Sequence, residues 1–371
     1  MVKQIRSRWI MDVPLRRAVP IRNTHISQHI EHSSIARKFT ENVTFFKMPK
    51  DADLDVVDYC DHLGKWDLGA IVNFVSSLER CLNSFPYKTI ILMVDPGQQD
   101  LNKTVFLVGA YLILKLHQRA EFVSKCFDWI QDEPIACASS NHSGFSLQLL
   151  DCWRGLEKGV RRGWLRYSAS DFIWGKVDIE EYLHYAQPAN GDLHEIVPGK
   201  LIVLRAPRDL EHGDDATGGH VLGMNFCAAT LRDFGANDAV WLDAAPSSPA
   251  AQAAFARCGI RCHSLGQGDA LPISIGAALA DLERVAAAAR GAIAVCVRDG
   301  PGQDGTLIAL HLMTSRGFAA REAVGWLRIV RPGLAAPGAL ECRRICEREG
   351  LRRHLAGEGS EESGSEPSDS D

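Results

Sequence analysis

Residues 291–317 read GAIAVCVRDGPGQDGTLIALHLMTSRG. The first part, Ala292–Val297, is a short apolar run that is typical of a buried strand. A glycine-rich turn follows it. From Thr306 onward the apolar residues recur at helical spacing, and Thr306 is suited to cap the first turn. The stretch therefore predicts a strand, a glycine loop and a helix in succession.

A loop of this kind directs several backbone N–H groups and the positive end of a helix dipole at one point, which suits an anion such as phosphate. A cysteine-dependent phosphatase adds a thiolate nucleophile at the start of the loop and an arginine six residues later. Counted from the glycines, the nucleophile position is Val297 and the arginine position is Gln303. If Cys296 is taken as the nucleophile instead, the arginine position is Gly302. Neither alignment gives both a cysteine nucleophile and an arginine six residues later.

The stretch resembles the active-site loop of the mitotic-exit dual-specificity protein phosphatases, the cell-division-cycle family often called CDC-fourteen. The loop of that family reads AVHCKAGLGRTGTLIA, and residues 294–309 of this chain read AVCVRDGPGQDGTLIA. The resemblance implies an anion-loop scaffold whose chemical residues are replaced. The scaffold positions are Arg298, Gly300, Gly302, Gly305 and Thr306. The replaced positions are Cys296 for His, Val297 for the nucleophilic Cys, Gln303 for Arg and Asp304 for Thr.

Two further segments carry the same resemblance. Residues 177–200 read VDIEEYLHYAQPANGDLHEIVPGK, which is similar to the family's D-V-D-E-Y-E-H-Y, N-G-D and I-V-P-G-K. Residues 326–333 read WLRIVRPG, which is similar to its W-x-R-I-C-R-P-G. The glutamines that position water in the family are missing from residues 337–340. The resemblance also makes Asp269 the nearest counterpart of the family's general acid.

The predicted fold class is α/β, with two tandem dual-specificity-phosphatase-like domains joined by a linker helix. Predicted strands are 44–46, 89–94, 201–204, 239–242, 258–265 and 292–297, and predicted helices are 67–83, 105–116, 147–163, 226–234, 250–256, 275–290 and 319–330. The predicted segments are 1–40, poorly ordered; 41–165, a non-catalytic N-terminal domain; 166–198, the linker helix and turn; 199–355, the C-terminal domain with the degenerate loop; and 356–371, an acidic disordered tail.

Composition limits the classes of function. The chain has 371 residues, of which 46% are hydrophobic, and a net charge of -5, so it can form two cores and gives no general case for nucleic-acid binding. Its 11 cysteines lack the spacing of a disulfide scaffold, which favours a reducing compartment. Cys258, Cys262 and His263, and likewise Cys342 and Cys346, lack the pattern of a familiar metal site. No metal, no cofactor and no membrane span are expected.

Three functions remain open at this point. The first is a catalytically inactive pseudophosphatase of the CDC-fourteen type, a protein-binding or scaffold factor in cell-cycle or cytoskeletal regulation. The second is a protein phosphatase with residual or unusual activity on phosphoserine-proline sites, with Cys296 as a displaced thiol. The third is a binder of a non-phosphate ligand in the remodelled pocket. Expected partners are other proteins, including phosphoproteins, and the resemblance implies the cytoplasm or nucleus, including the centrosome or spindle.

Overall fold

The N-terminal half forms a four-stranded sheet with helices beside it. The computed structural model describes residues 2–5, 8–12, 43–47, 66–84, 89–94, 98–128, 147–168, 173–207, 223–242, 248–265, 275–297 and 303–332. The strands of this half are β1 (Val2–Ile5), β2 (Arg8–Asp12), β3 (Val43–Lys47) and β4 (Thr89–Val94), in the order β1-β2-β4-β3. The helices are α1 (Leu68–Ser84), α2 (Gln98–Leu114), α3 (Ala120–Cys126) and α4 (Leu149–Arg161).

Two features of this half differ from the sequence predictions. Strands β1 and β2 lie within residues 1–40, where little order was expected. Strand β2 pairs with β4, about 80 residues later in the chain, and local periodicity does not encode such a long-range pairing. Helix α2 begins at Gln98 rather than at residue 105, because the polar residues of its first turns lack the apolar spacing that marks a helix in the sequence.

A short linker segment connects the two halves. It contains β5 (Ile173–Trp174), β6 (Val177–Asp178) and the helix α5 (Ile179–Tyr185). The carboxylate of Asp178 accepts a hydrogen bond from the backbone N–H of Glu181 at 3.1 Å, which caps the helix start. A single 3-10 turn, Pro188–Asn190, follows, and Gly191 ends it with a φ of 105°, a backbone conformation that glycine adopts without strain. The predicted linker helix is confirmed.

The C-terminal half contains a five-stranded sheet. Its strands are β7 (His194–Val197), β8 (Leu201–Arg205), β9 (Ala236–Trp241), β10 (Arg261–Ser264) and β11 (Ala292–Val297), in the order β10-β9-β11-β8-β7. The last four are parallel, and β7 pairs antiparallel with β8. The helices are α6 (Met224–Asp233), α7 (Pro249–Arg257), α8 (Ile275–Ala288), α9 (Gln303–Arg316) and α10 (Ala320–Val330).

The C-terminal sheet begins earlier than the sequence analysis placed it. Strand β7 lies inside the predicted linker 166–198, so the last residues of that segment form the edge strand of this sheet. The strand forms by antiparallel pairing with β8. The sequence did not predict it, because four residues are too few to show a clear alternation of apolar and polar residues. The mixed α/β class, with a sheet in each half and a helical linker, is confirmed. The predicted tail, 356–371, lies outside the described residues.

One hydrophobic core runs through both halves. It contains buried residues of α1, α2 and α4 together with residues of α8, α9 and α10. A second, smaller core lies on the other face of the C-terminal sheet, beneath α6 and α7. Helices α4 and α10 approach closely at glycines. A Cβ atom on Gly155 would lie only 2.7 Å from the carbonyl oxygen of Glu322. The two halves are therefore joined by packed helices as well as by the linker.

Candidate functional site

Strand β11 lies at the centre of the C-terminal sheet and leads into the glycine loop. It pairs in parallel with β9 on one side and with β8 on the other. In an open parallel sheet, ligands bind at the carboxyl ends of the strands. The segment 298–302 joins β11 to α9 at this edge, so the predicted succession of a strand, a connection and a helix is present.

The start of helix α9 differs from the prediction. The helix begins at Gln303, three residues before Thr306, so the expected capping role of Thr306 is wrong. Both Gly305 and Thr306 are buried within the first turns of the helix. Asp304 occupies the first turn, where a carboxylate interacts favourably with the positive end of the helix dipole. This interaction favours the earlier helix start.

The side chains of Cys296 and Val297 lie on opposite faces of the sheet. Val297 packs with Val295 in the core shared with α8, α9 and α10. Cys296 packs with Ala294 in the smaller core on the other face. This is the alternation that a β-strand imposes on successive residues. A thiol at position 296 therefore cannot take the place of a nucleophile at position 297.

The Cys296 thiol is also chemically unsuited to nucleophilic attack. Its side chain is buried, with 2% exposure. Burial raises the pKa of the thiol well above its ordinary value, and the neighbouring thiols of Cys227 and Cys262 and the carboxylate of Asp304 raise it further. A reactive cysteine acts as a thiolate, which cationic neighbours and helix N-termini favour. Cys296 is therefore a protonated core thiol at neutral pH.

Several of the predicted site residues lie outside the described residues. These are Arg298, Gly300, Gly302 and Asp269. Residues 337–340, where the family has its glutamines, also lie outside them. Gln303 is the first residue of α9. The geometry at this edge of the sheet is therefore defined by Val297, Cys296 and the first turns of α9.

A buried polar cluster holds the linker turn against the end of α10. Arg331 donates a hydrogen bond from Nη2 to Oδ2 of Asp192 at 2.5 Å. Nε2 of His194 lies 3.0 Å from Oδ1 of the same carboxylate. The hydroxyl of Tyr182 donates to the carbonyl oxygen of Val330 at 2.9 Å. The cluster thus connects residues 177–200 to residues 326–333, the two segments that share the family resemblance.

The charges in this cluster are set by the surroundings. Burial alone would raise the pKa of the Asp192 carboxyl, but Arg331 and His194 outweigh burial and hold that pKa well below its usual range. Burial lowers the pKa of His194, against the opposing effect of Asp192. Asp192 and Arg331 lie in the two separate segments that carry the family resemblance, and their pairing was not predicted. Their opposite charges in the two matched segments were the available signal.

Of the residues that hinted at a metal site, Cys258 packs against the smaller core. Cys262 packs at the edge of the smaller core. His263, the next residue in β10, turns to the other face, where its Nε2 lies 2.8 Å from Oδ1 of Asp238. Among the described residues, no group of three or more His, Cys, Asp or Glu side chains is arranged to hold a metal ion. Cys342 and Cys346 lie outside those residues.

In the part of the chain that the structure describes, none of the helices is both long enough and apolar enough to span a bilayer.

Comparison with known proteins gives matches to phosphatases. The family model for the dual specificity protein phosphatase, N-terminal half, matches residues 25–159. The chain is 26% identical over 304 residues to dual specificity protein phosphatase CDC14C of Symphalangus syndactylus, covering 80% of this chain and 59% of that protein. It is 25% identical over 301 residues to CDC14C of Homo sapiens, covering 80% of this chain and 64% of that protein. The chain thus spans about six tenths of the length of these relatives.

One solved structure, a putative protein tyrosine phosphatase from Leishmania major, is 19% identical to this chain. It covers 39% of this chain and 85% of its own length, with a TM-score of 0.31.

Proposed function

Since the chain belongs to the CDC14-type family of dual specificity phosphatases, we propose that it is a non-catalytic member that acts by binding other proteins. The observation that carries this proposal is Val297. It ends β11 as a buried apolar residue, at the position where the family loop has its nucleophilic cysteine. A valine side chain cannot form a phosphocysteine intermediate. In a comparable covalent enzyme, loss of the nucleophile costs about a millionfold in kcat.

Three further replacements weaken the case for phosphate binding. Gln303 occupies the position of the family's arginine, so the fixed positive fork that binds two phosphate oxygens is absent from the sequence. Asp304, half-buried in the first turn of α9, and Asp299 in the loop sequence place negative charge where a phosphate dianion would bind. The side chains at this edge of the sheet therefore oppose the reaction of the family.

The proposed role is a scaffold or partner-binding factor in cell-cycle or cytoskeletal regulation. Its proposed partners are other proteins, including phosphoproteins. Its proposed location is the cytoplasm or nucleus, including the centrosome or spindle. The support is the similarity to CDC14-type proteins over 80% of the chain, combined with packed cores in which the family's reactive residues are replaced. Such a role requires folded surfaces and does not require a nucleophile.

We expect the purified chain to hydrolyse p-nitrophenyl phosphate and a phosphoserine-proline peptide no faster than buffer does. The reason is that Val297 supplies no nucleophile and the Cys296 thiol is buried and protonated. Phosphate release should be measured beside a Cys296→Ala variant, with circular dichroism to check that both proteins are folded. Turnover that this substitution abolishes would contradict the proposal and identify Cys296 as the nucleophile.

We also expect that the defect in anion binding lies in the side chains and not in the backbone of the loop. The variant Val297→Cys/Gln303→Arg/Asp299→Ala/Asp304→Thr should be stabilised by tungstate, because the helix start and the buried Gly305 remain in place. For a Kd near 0.1 mM, 1 mM tungstate should add about 1.4 kcal/mol of stability.

The matched control for this experiment is Val297→Cys alone, which should show no stabilisation, since a thiolate without the arginine does not bind a dianion firmly. Melting temperatures with and without tungstate report both results. A folded quadruple variant that 1 mM tungstate fails to stabilise would show that the loop backbone itself differs from the family's.

A further inference from the structure

A charged groove lies where helices of the two halves meet. It has a volume of about 200 Å³ and is lined by side chains at the start of α3, along α4 and at the start of α10. Four of the lining side chains are basic and three are acidic, which gives the groove a formal charge of +1 in a chain whose net charge is -5. The basic residues are Arg119, Arg154, Lys158 and Arg161.

The groove is separate from the edge of the sheet that carries the glycine loop. Its residue in the C-terminal half, Glu322, lies in the first turn of α10. The glycine loop precedes the first turn of α9, a helix of 14 residues that separates the loop from α10. At 1.5 Å per residue, α9 spans about 21 Å. The groove and the loop therefore lie near opposite ends of α9.

Two of the acidic side chains in the groove bind the starts of helices. Oε2 of Glu157 accepts a hydrogen bond from the backbone N–H of Ala120 at 2.9 Å. Oε2 of Glu322 accepts one from the backbone N–H of Ala319, also at 2.9 Å. The first N–H groups of a helix have no partner within the helix, so these carboxylates satisfy donors that would otherwise be unpaired. Both carboxylates therefore stabilise the starts of helices.

In one of the three ion pairs of the groove, the cation is much more exposed than its acidic partner. Arg161 is 62% exposed, whereas its partner Glu157, 3.5 Å away, is 16% exposed. Lys158 lies 3.6 Å from Glu322 and Arg154 lies 3.2 Å from Glu121, in pairs that are also open to solvent. Such pairs contribute about 0–1 kcal/mol each, so the cations can change partners at little cost.

The fourth cation of the groove is the least engaged. Arg119 is exposed at the residue before α3. It forms no ion pair with any carboxylate of the described residues. A backbone hydrogen bond and Arg154 lower the pKa of the nearby Glu121 carboxyl, and Arg119 adds a smaller lowering effect. Arg119 is therefore available to an anionic group that enters the groove.

We propose that this groove binds an acidic, phosphoserine-bearing segment of a partner protein. Arginine side chains bind carboxylates and phosphates through paired N–H groups, and three of the four cations are arginines. The groove is smaller than the roughly 300–1,000 Å³ of small-molecule sites and is polar, which suits side chains of an extended peptide. This inference deepens the proposed protein-binding function and rests on it.

The test measures binding of a fluorescein-labelled peptide of alternating glutamate and phosphoserine to the full chain by fluorescence anisotropy. The variant Arg154→Glu/Arg161→Glu should weaken binding by at least about tenfold, because two cations become repulsive. The matched control is Arg232→Glu/Arg284→Glu, which changes the net charge equally at exposed sites on α6 and α8. It should change the affinity by less than about threefold, since salt screens distant charges.

Each alternative result overturns a defined part of the proposal. Absence of binding, or equal weakening by the two double variants, would exclude the groove as the site. Binding that requires removal of residues 357–371 would identify the chain's own acidic segment as the occupant. Phosphate release in the same samples would contradict the non-catalytic function while leaving the groove in place. No release together with no groove-dependent binding would overturn the groove alone.

Discussion

Gly325→Ala should destabilise the protein, although alanine is the better helix former. Gly325 lies in α10 where this helix crosses α4, and a Cβ atom there would lie 2.8 Å from the backbone nitrogen of Cys152 and closer still to the carbonyl group of Asp151. Backbone atoms in a packed helix cannot turn away as a flexible side chain can. The two helices must therefore separate, and the core that runs through both halves must loosen.

The sign of the effect makes this prediction decisive. Replacing glycine by alanine inside a helix otherwise stabilises by about 1 kcal/mol. We expect a net loss of about 1–3 kcal/mol in the free energy of unfolding for Gly325→Ala, and a larger loss for Gly325→Val. Urea-induced unfolding followed by circular dichroism measures both.

A control for intrinsic helix propensity is available on α7. Ala253 is exposed there, so Ala253→Gly should cost about 1 kcal/mol through propensity alone. If Gly325→Ala raised the free energy of unfolding by the amount that this control predicts, α4 and α10 would not be in close contact at Gly325. A loss for Gly155→Ala, on the α4 side of the same crossing, would give independent support.

Arg331→Met should cost about 3–5 kcal/mol, because it leaves the largely buried carboxylate of Asp192 without its cation. The Arg331 side chain is 6% exposed and that of Asp192 is 24% exposed, so water replaces the lost partner poorly. The expected consequence is that the linker turn separates from the end of α10. The free energy of unfolding in urea measures the loss.

A double variant distinguishes the loss of the ion pair from the loss of packing around Arg331. Arg331→Met/Asp192→Asn removes both charges, and we expect it to recover a large part of the loss. Asparagine is the suitable replacement because Asp192 has a φ of 47°, a left-handed conformation that asparagine tolerates. If the double variant were as unstable as Arg331→Met, the arginine would act through packing and not through its charge.

The single variant Asp192→Asn should change how the free energy of unfolding depends on pH. Because the pKa of Asp192 is lowered in the folded protein, its contribution is fully present above the unfolded value of about 4 and is lost as the pH falls below that value. Because burial lowers the pKa of His194, the unfolded chain takes up a proton below about pH 6.5 that the folded chain resists. Both groups therefore lower the free energy of unfolding as the pH falls. Asp192→Asn should flatten the dependence below pH 4.

The sequence by itself determined the elements that local patterns specify. Strands β4 and β11 have the predicted bounds, and the helices α1, α4, α8 and α10 lie within two residues of their predicted limits, because apolar spacing over many residues identifies them. The family resemblance was carried by glycines and short motifs that need no knowledge of contacts. The replacement of the loop's chemical residues was also readable in this way, since it depends on residue identity alone.

Tertiary structure decided everything that depends on residues distant in the chain. Strand β2 forms by pairing with β4, and β1 forms by pairing with β2. The pairing of Asp192 with Arg331 joins positions 139 residues apart. The surroundings of Cys296 follow from the cores on the two faces of the sheet. The charged groove is lined by side chains of three helices, α3, α4 and α10. Local sequence encodes dihedral preferences and spacing, whereas burial and charge pairing arise when separate segments pack together.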